Sequence, residues 1–174
     1  GNDMTTRYIK GNALDYAELK GYCMIHVCNN KGGFGGGKTA IATQVKERFP
    51  LAYSKYLERF ELGRVSADYD PDKSNMNVIN LVAQDGYGAR WKGVKYFRES
   101  AFEECLQRIT SYPNIVTMAE FCQIHTIVVP YKMGADRAGG DWDWIISKVE
   151  KILGKYFNIL VVEYDYAEEM IYAS

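Results

Sequence analysis

A run of glycines between two apolar segments constrains this chain more than any other stretch. Residues 31–40 read Lys-Gly-Gly-Phe-Gly-Gly-Gly-Lys-Thr-Ala and hold five of the sixteen glycines. The preceding segment, Tyr22–Cys28, is almost wholly apolar, as expected for a strand covered on both faces. The following segment predicts a helix from about Thr39 to Arg48, which ends where Pro50 disfavours helical geometry in the residue before it. A strand, a glycine loop and a helix N-terminus in that order predict a phosphate or pyrophosphate site.

The same succession recurs twice more along the chain. The predicted strand Met76–Ala83 runs into residues 84–88 with two glycines, and Thr126–Val129 runs into residues 130–142 with three. Periodicity predicts further strands at Thr6–Lys10, Gly63–Tyr69 and Asn158–Val162, and helices at Leu51–Phe60, Val94–Ile109, Met118–Gln123 and Trp142–Leu153. Alternating strands and helices predict an α/β fold with a largely parallel or mixed sheet between helices. Ligands bind such sheets at the carboxyl ends of the strands, where the three glycine loops would meet.

Composition narrows the class of protein. The chain has 174 residues, 47% of them hydrophobic, and a net charge of −1, which suits one domain without a nucleic-acid backbone site. Residues 1–3, ahead of Met4, are expected to be an expression remnant. No apolar run reaches membrane-spanning length and no signal peptide is visible, so a cytoplasmic protein with no membrane partner is expected. The four cysteines are expected to be reduced, and two histidines far apart offer little to a metal, so neither metal nor cofactor is expected.

The glycine run can be interpreted in two ways, either as the phosphate loop of a nucleoside triphosphatase or as one part of a pattern that extends along the whole chain. Residues 32–39 match the Walker A pattern of nucleoside triphosphatases, in which Lys38 would contact phosphates and Thr39 would bind Mg²⁺. Two observations count against the triphosphatase interpretation. Residues 29–31 separate the strand from the pattern, and the acidic strand end that could serve Mg²⁺, at Glu163, lies at the far end of the chain.

Five blocks of sequence, in order, support the other interpretation. They are Lys10–Asp15, His26–Asn30 with the glycine run, Ile41–Pro50, Asn80–Gly88 and Met133–Trp142. Together they resemble the macro domain family, and most closely its small stand-alone ADP-ribose 1''-phosphate phosphatases. The resemblance covers about residues 6 to 165. It implies a three-layer α/β/α fold with a six-stranded mixed sheet, residues 4–174 as a single domain, and an ADP-ribose cleft across the strand ends.

The resemblance implies a set of ligand-binding residues. Asn12, with Ala13 beside it and Asp15 as a fallback, stands where the family usually has an aspartate that accepts from the adenine amino group. Tyr164, or alternatively Tyr166, matches the aromatic position that stacks on adenine. Gln84 and Tyr87 are expected to face the cleft. The diphosphate or distal phosphate would lie against the first and third loops, at Gly35, Gly36, Gly37, Gly134, Ala135, Asp136, Arg137, Ala138, Gly139 and Gly140.

The resemblance also implies the chemistry. Asn29 and Asn30 match the region beside the distal ribose, where amides both donate to and accept from hydroxyls. Asp141 is the candidate to position or deprotonate water. The competing interpretation is that it only caps the helix beginning at Trp142. The expected reaction is metal-independent hydrolysis of ADP-ribose 1''-phosphate.

Two other activities stay open within the same resemblance. One is a hydrolase that removes ADP-ribose from protein or nucleic acid, although the catalytic aspartate of one such group aligns with Ala138 here. The other is a non-catalytic ADP-ribose reader. About three residues around Lys38-Thr39-Ala40 are inserted relative to the family pattern, and on this interpretation Lys38 and Thr39 have no assigned role.

Overall fold

The computed structural model describes residues 5–88, 93–111 and 115–167. These form six strands and six helices: β1 Thr6–Gly11, α1 Ala13–Ala17, β2 Tyr22–Asn29, α2 Ile41–Arg48, α3 Pro50–Glu58, β3 Val65–Ala67, β4 Val78–Gln84, α4 Glu99–Thr110, α5 Ile115–Phe121, β5 Thr126–Pro130, α6 Trp142–Leu153 and β6 Asn158–Tyr164. The predicted expression remnant at residues 1–3 lies outside the described residues. In the described part of the chain, no helix combines the length and the apolar character that crossing a membrane requires.

The six strands form one sheet in the order β1-β6-β5-β2-β4-β3. Every neighbouring pair is parallel except β3 with β4. The five parallel strands therefore end along one edge of the sheet, where the three glycine loops begin. The predicted six-stranded mixed sheet is confirmed.

Helices cover both faces of this sheet because successive strand residues point to opposite sides. On β2, Cys23 and Ile25 pack into the core that α4, α5 and α6 complete, whereas Met24 and Cys28 pack into the core of α1, α2 and α3. The result is the predicted three-layer arrangement. All four cysteines are buried and free.

The pairing of β2 with β4 slips by one residue at its carboxyl end. Cys28 pairs with Val82, but Asn29 pairs with Gln84, so Ala83 is a β-bulge. The Asn30 backbone N–H then donates to the Gln84 carbonyl at 3.1 Å. The bulge thus brings the start of the second loop beside the start of the first.

The predicted start of the fourth helix, at Val94, is wrong. The helix begins at Glu99, and the segment before it is extended: Phe97 forms a bridge with Gln84 and donates its backbone N–H to the Ala138 carbonyl at 2.9 Å. Phe97 is fully buried as part of a link between the second and third loops. The helix after the glycine run likewise begins at Ile41, two residues later than predicted.

Candidate functional site

The first glycine loop is pinned at its centre by Phe34. This side chain is buried, with its ring centroid 4.5 Å from that of Tyr56, 4.9 Å from that of Tyr53 and 5.2 Å from that of His26. Two of these rings belong to α3 and the third to β2. The loop is therefore fixed to the core by an aromatic cluster, while Gly35, Gly36 and Gly37, which follow Phe34, are exposed.

The Tyr56 hydroxyl fixes the start of the same loop. It donates to the Asn29 carbonyl at 2.7 Å and accepts the Gly32 N–H at 3.0 Å. Burial raises the pKa of Tyr56 to about 12, so the hydroxyl keeps its proton at neutral pH. One phenol therefore ties the end of β2 to the first glycine of the run.

The side-chain amide of Asn29 makes hydrogen bonds within this loop. Its Nδ2 donates to the Gly33 carbonyl at 2.9 Å, and its Oδ1 accepts the Lys31 N–H at 2.8 Å. The structure thus gives Asn29 the role of an organiser of the loop, and its predicted place beside a ribose stays a prediction.

Asn30 joins the first loop to the second. Its Nδ2 donates to Asp85 Oδ1 at 3.1 Å, and its Oδ1 accepts the Gly86 N–H at 2.9 Å. An amide has two N–H groups and two lone pairs, so Asn30 retains capacity for a ligand. In the second loop Gln84 donates to the Gly86 carbonyl at 3.1 Å, and Tyr87 is 67% exposed.

The second half of the glycine run presents open backbone. A Cβ built on Gly35 or Gly37 would meet nothing within 4 Å, and Gly36 and Gly37 have φ of +114° and +92°. The helix that follows has Ala40 as its N-cap residue, which has no side-chain oxygen to accept from the first turn. Exposed glycines in front of an uncapped helix N-terminus suit an anionic group.

Lys38 and Thr39 lie in a turn ahead of this helix. The Ala40 N–H closes the turn on the Gly37 carbonyl at 3.2 Å, and the helix begins only at Ile41. A Walker A loop instead places its Lys-Thr pair where the helix starts. The local geometry therefore differs from that of a triphosphatase loop.

The third loop is a compact turn built on glycine. Gly134 has a φ of +75°, and the Gly140 N–H donates to its carbonyl at 2.9 Å. A Cβ on Gly140 would lie 2.6 Å from that carbonyl oxygen. Ala138 is buried, and its carbonyl accepts the N–H groups of Tyr96 and Phe97, both at 2.9 Å. Asp136, Arg137 and Gly139 are exposed, while Ala135 is partly buried.

Asp141 caps the helix that follows this loop, as predicted. Its Oδ1 accepts the N–H of Asp143 at 3.0 Å and that of Trp144 at 3.4 Å. Both bonds use the same oxygen, so Oδ2 is left to other partners. The carboxylate is exposed and held in orientation at the carboxyl edge of the sheet. Its predicted catalytic role stays a prediction.

The other end of the edge begins with Asn12, which caps α1. Its Oδ1 accepts the Leu14 N–H at 3.1 Å, and its Nδ2 donates to Gln44 Oε1 at 3.0 Å. Gln44 in turn donates to the Thr39 carbonyl at 2.9 Å. Gln44 could not be predicted from the sequence as a site residue, because its partners lie five and 32 residues away and amide pairs leave no periodic pattern.

The predicted adenine platform lies at the end of β6. Tyr164 pairs with Gly11 of β1, and its ring meets that of Tyr166 edge to face at 4.7 Å. Ala13, beside Asn12, is buried. These residues are thus neighbours along the same edge as the three loops, at the end occupied by β1 and β6.

A Cys-His-Asn group lies beneath the first loop, but it is not a nucleophilic site. Cys28 Sγ is 3.5 Å from His26 Nε2, which is 2.7 Å from Asn80 Oδ1. Burial lowers the pKa of His26 to about 4 and raises the pKa of the Cys28 thiol well above its usual range. Both groups are therefore neutral at neutral pH, whereas a reactive cysteine needs a stabilised thiolate. Within the described ranges, no three His, Cys, Asp or Glu side chains gather as metal ligands would.

Two proteins of known sequence match the chain over nearly its whole length. No protein-family model matches it. Proteins of Candida albicans and Lodderomyces elongisporus, both named ADP-ribose 1''-phosphate phosphatase, are 24% and 26% identical over 162 and 167 residues. These alignments cover 90% and 92% of this chain, and 99% and 100% of the two relatives.

Solved structures share the fold. The macrodomain of Thermus aquaticus DarG has a TM-score of 0.63 at 22% identity, with 92% of this chain and 98% of that chain covered. Thermosipho africanus DarTG in complex with ADP-ribose has a TM-score of 0.65 at 13% identity, with 95% of this chain and 44% of that chain covered. A macrodomain protein from Streptomyces coelicolor gives 0.62 at 24% identity, with 92% and 99% covered.

The mixed sheet, its two helical layers and these likenesses show that the chain has the macro domain fold. The fold predicted from the five blocks of sequence is confirmed.

Proposed function

We propose that the chain binds ADP-ribose at the carboxyl edge of its sheet and hydrolyses ADP-ribose 1''-phosphate to ADP-ribose and phosphate. The main structural support for ADP-ribose binding is the open backbone at Gly35–Gly37, in front of the uncapped N-terminus of α2. Such a site favours a diphosphate without a metal ion. The complex of Thermosipho africanus DarTG with ADP-ribose and the names of the two full-length relatives support the same ligand class.

The proposed reaction adds water across the bond between the distal ribose and its phosphate. Asp141 holds one oxygen on the helix and can direct Oδ2 at that water, as a general base or by orienting it. Asn30 retains an N–H for a ribose hydroxyl or phosphate oxygen. On this proposal the partner is a small phosphorylated derivative of ADP-ribose, and nucleic acid enters only as an ADP-ribosylated substrate.

Substitution of Asp141 separates its two roles. Asparagine is a good N-cap residue, so Asp141→Asn should keep the stability of wild type, whereas Asp141→Ala should lose about 1 kcal/mol. Both should lower phosphate release from ADP-ribose 1''-phosphate by at least about a hundredfold, in the range of general-base loss. Asp143→Ala, on the neighbouring exposed carboxylate, serves as the control and should retain activity.

A calorimetric titration tests the class of ligand. ADP-ribose should bind wild type, and ATP with Mg²⁺ should not. Binding of ADP-ribose without release of phosphate would leave a reader, or a hydrolase for ADP-ribosylated protein or nucleic acid, which mass measurement on modified substrates distinguishes. Mg²⁺-dependent ATP binding that Lys38→Ala abolishes would overturn the proposal in favour of a triphosphatase loop.

A further inference from the structure

Three hydrogen bonds connect α1 to the turn around Lys38-Thr39-Ala40 through Asn12 and Gln44. Their donors and acceptors can be arranged in only one way. The Leu14 N–H can only donate, so it fixes Asn12 Oδ1, at 3.1 Å, on its own side. The Asn12 amide nitrogen therefore faces Gln44 and donates to Oε1 at 3.0 Å. Gln44 Nε2 is left to donate to the Thr39 carbonyl, at 2.9 Å, which can only accept.

The two ends of this hydrogen-bonded chain are two of the places where the sequence departs from the family pattern. One end is an asparagine at position 12, where aspartate is usual. The other is the turn around Lys38-Thr39-Ala40, where residues are inserted. A carboxylate at position 12 accepts and cannot donate, so Gln44 would have to turn Nε2 toward it. Gln44 Oε1 would then face the Thr39 carbonyl, and two acceptors would oppose each other.

We propose that Gln44 is a positioning residue that holds the inserted turn against the start of α1, and that Asn12 is an asparagine because it must donate to Gln44. The inference rests on the proposed function for its ligand. The Asn12–Gln44–Thr39 chain joins the proposed adenine end of the edge to the proposed phosphate end. Breaking it should weaken ADP-ribose binding because the inserted turn and the adjoining glycines lose their fixed place.

Titration of ADP-ribose into a double-mutant cycle tests the proposal. Asn12→Asp should weaken binding about five- to tenfold, the effect of about one hydrogen bond, although it restores the carboxylate usual in the family. Gln44→Ala should weaken binding by a similar factor. In the Gln44→Ala background, Asn12→Asp should cause no further loss, because no misdirected amide remains. Asn12→Asp that binds as tightly as wild type, or more tightly, overturns the proposal.

A measurement without ligand separates this inference from the proposed function. Amide hydrogen exchange at Ala40, whose N–H closes the inserted turn, should accelerate in both Asn12→Asp and Gln44→Ala. Gln107→Ala, at an exposed glutamine of α4, is the matched control and should leave it unchanged. Unchanged exchange in all three variants overturns the positioning role. If wild type fails to bind ADP-ribose but amide exchange at Ala40 accelerates in the two variants as expected, only the proposed function is overturned.

Discussion

His26 lies under the first glycine loop, where it contacts both the core and the loop. Its Nε2 is 2.7 Å from Asn80 Oδ1, and its ring meets that of Phe34 edge to face. The apolar run around it predicted a strand covered on both faces. Its partners could not be predicted, because Asn80 belongs to a neighbouring strand and Phe34 returns to the core only after the loop has turned back.

Lowering the pH should destabilise the protein through His26. Its pKa is about 4 in the folded protein against 6.5 when exposed, because burial disfavours the charged ring. The unfolded chain therefore takes up the proton first as the pH falls. The contribution of His26 to stability is complete above about pH 6.5 and is lost between there and about pH 4, a loss of about 3 kcal/mol.

Urea unfolding at pH 7 and pH 4 would measure this effect. His26→Gln should show a smaller drop in stability between the two pH values than wild type, whereas His125→Gln, at an exposed histidine, should match wild type. Burial raises the pKa of Asp68, and this carboxylate therefore favours folding as the pH falls. The comparison between variants removes that background. Equal drops in wild type and His26→Gln would show that His26 is not the group responsible.

The first glycine loop depends on α3 for its shape. Tyr56→Phe removes the hydroxyl that bonds the Asn29 carbonyl and the Gly32 N–H, and leaves both without that partner. We expect a loss of about 1–2 kcal/mol in unfolding free energy and weaker ADP-ribose binding. Tyr53→Phe is the matched control on the same helix, since its hydroxyl makes only a 3.4 Å contact with the Gly32 carbonyl.

Chemical unfolding and titration with ADP-ribose, applied to both tyrosine variants, would decide the point. Tyr53→Phe should stay within about 0.5 kcal/mol of wild type. If the two variants behave alike, the stacked rings rather than the Tyr56 hydroxyl hold the loop.

The third glycine loop should tolerate less change than the first. In Gly140→Ala the added methyl would lie 2.6 Å from the Gly134 carbonyl oxygen and 2.9 Å from the Phe97 ring. We expect a cost of about 2 kcal/mol in stability from this overpacking. Gly35→Ala places its methyl in open space, so it should unfold like wild type and yet bind ADP-ribose more weakly if a ligand approaches there. Thermal unfolding of both variants measures the first effect, and equal stability would contradict it.

Elements whose signals are local were predictable from the sequence. The role of Asp141 as the N-cap of α6 could be predicted because a carboxylate directly ahead of an amphipathic run is a local signal. The periodicity wrongly predicts a helix from Val94, because Val94 and Phe97 continue the helical spacing by coincidence. Phe97 is buried instead by extended pairing with Gln84 and Ala138, residues distant in the chain. Tertiary pairing of this kind overrides a periodic pattern.

At the scale of the whole molecule, ligand binding should be visible as stability. ADP-ribose at a hundred times its Kd should add about 2.7 kcal/mol to the unfolding free energy. For a chain of this size that corresponds to a rise of about 5–10 °C in Tm. Thermal unfolding with ADP-ribose, and with ATP and Mg²⁺ as the control, would measure it. Equal shifts with both ligands would contradict selective binding of ADP-ribose.

The alternation of strands and helices along the chain was enough to predict a parallel or mixed sheet between helices, whereas its six strands were implied by the family resemblance. Strands that alternate with helices, and a glycine loop after three of the strands, place three loops at one edge whatever the details of packing. The links among the loops were beyond the sequence. They run through side-chain amides and backbone groups: the Gly86 N–H donates to Asn30 Oδ1, and Gln44 Nε2 donates to the Thr39 carbonyl. Groups of this kind occur at many positions and leave no distinctive pattern in the sequence.

The bulge at Ala83 bears on how related sequences should be compared. Residues of β4 and β2 correspond one to one up to Val82, and Gln84 then stands beside Asn29 with Ala83 left over. The Ala83 carbonyl accepts the Arg98 N–H at 2.8 Å instead of continuing the ladder. A homologue with an unbroken ladder would carry its counterpart of Gln84 one position earlier, so equivalent loop residues must be matched by strand partner rather than by counting. A deletion at this point would shorten the chain without moving the second loop away from the first.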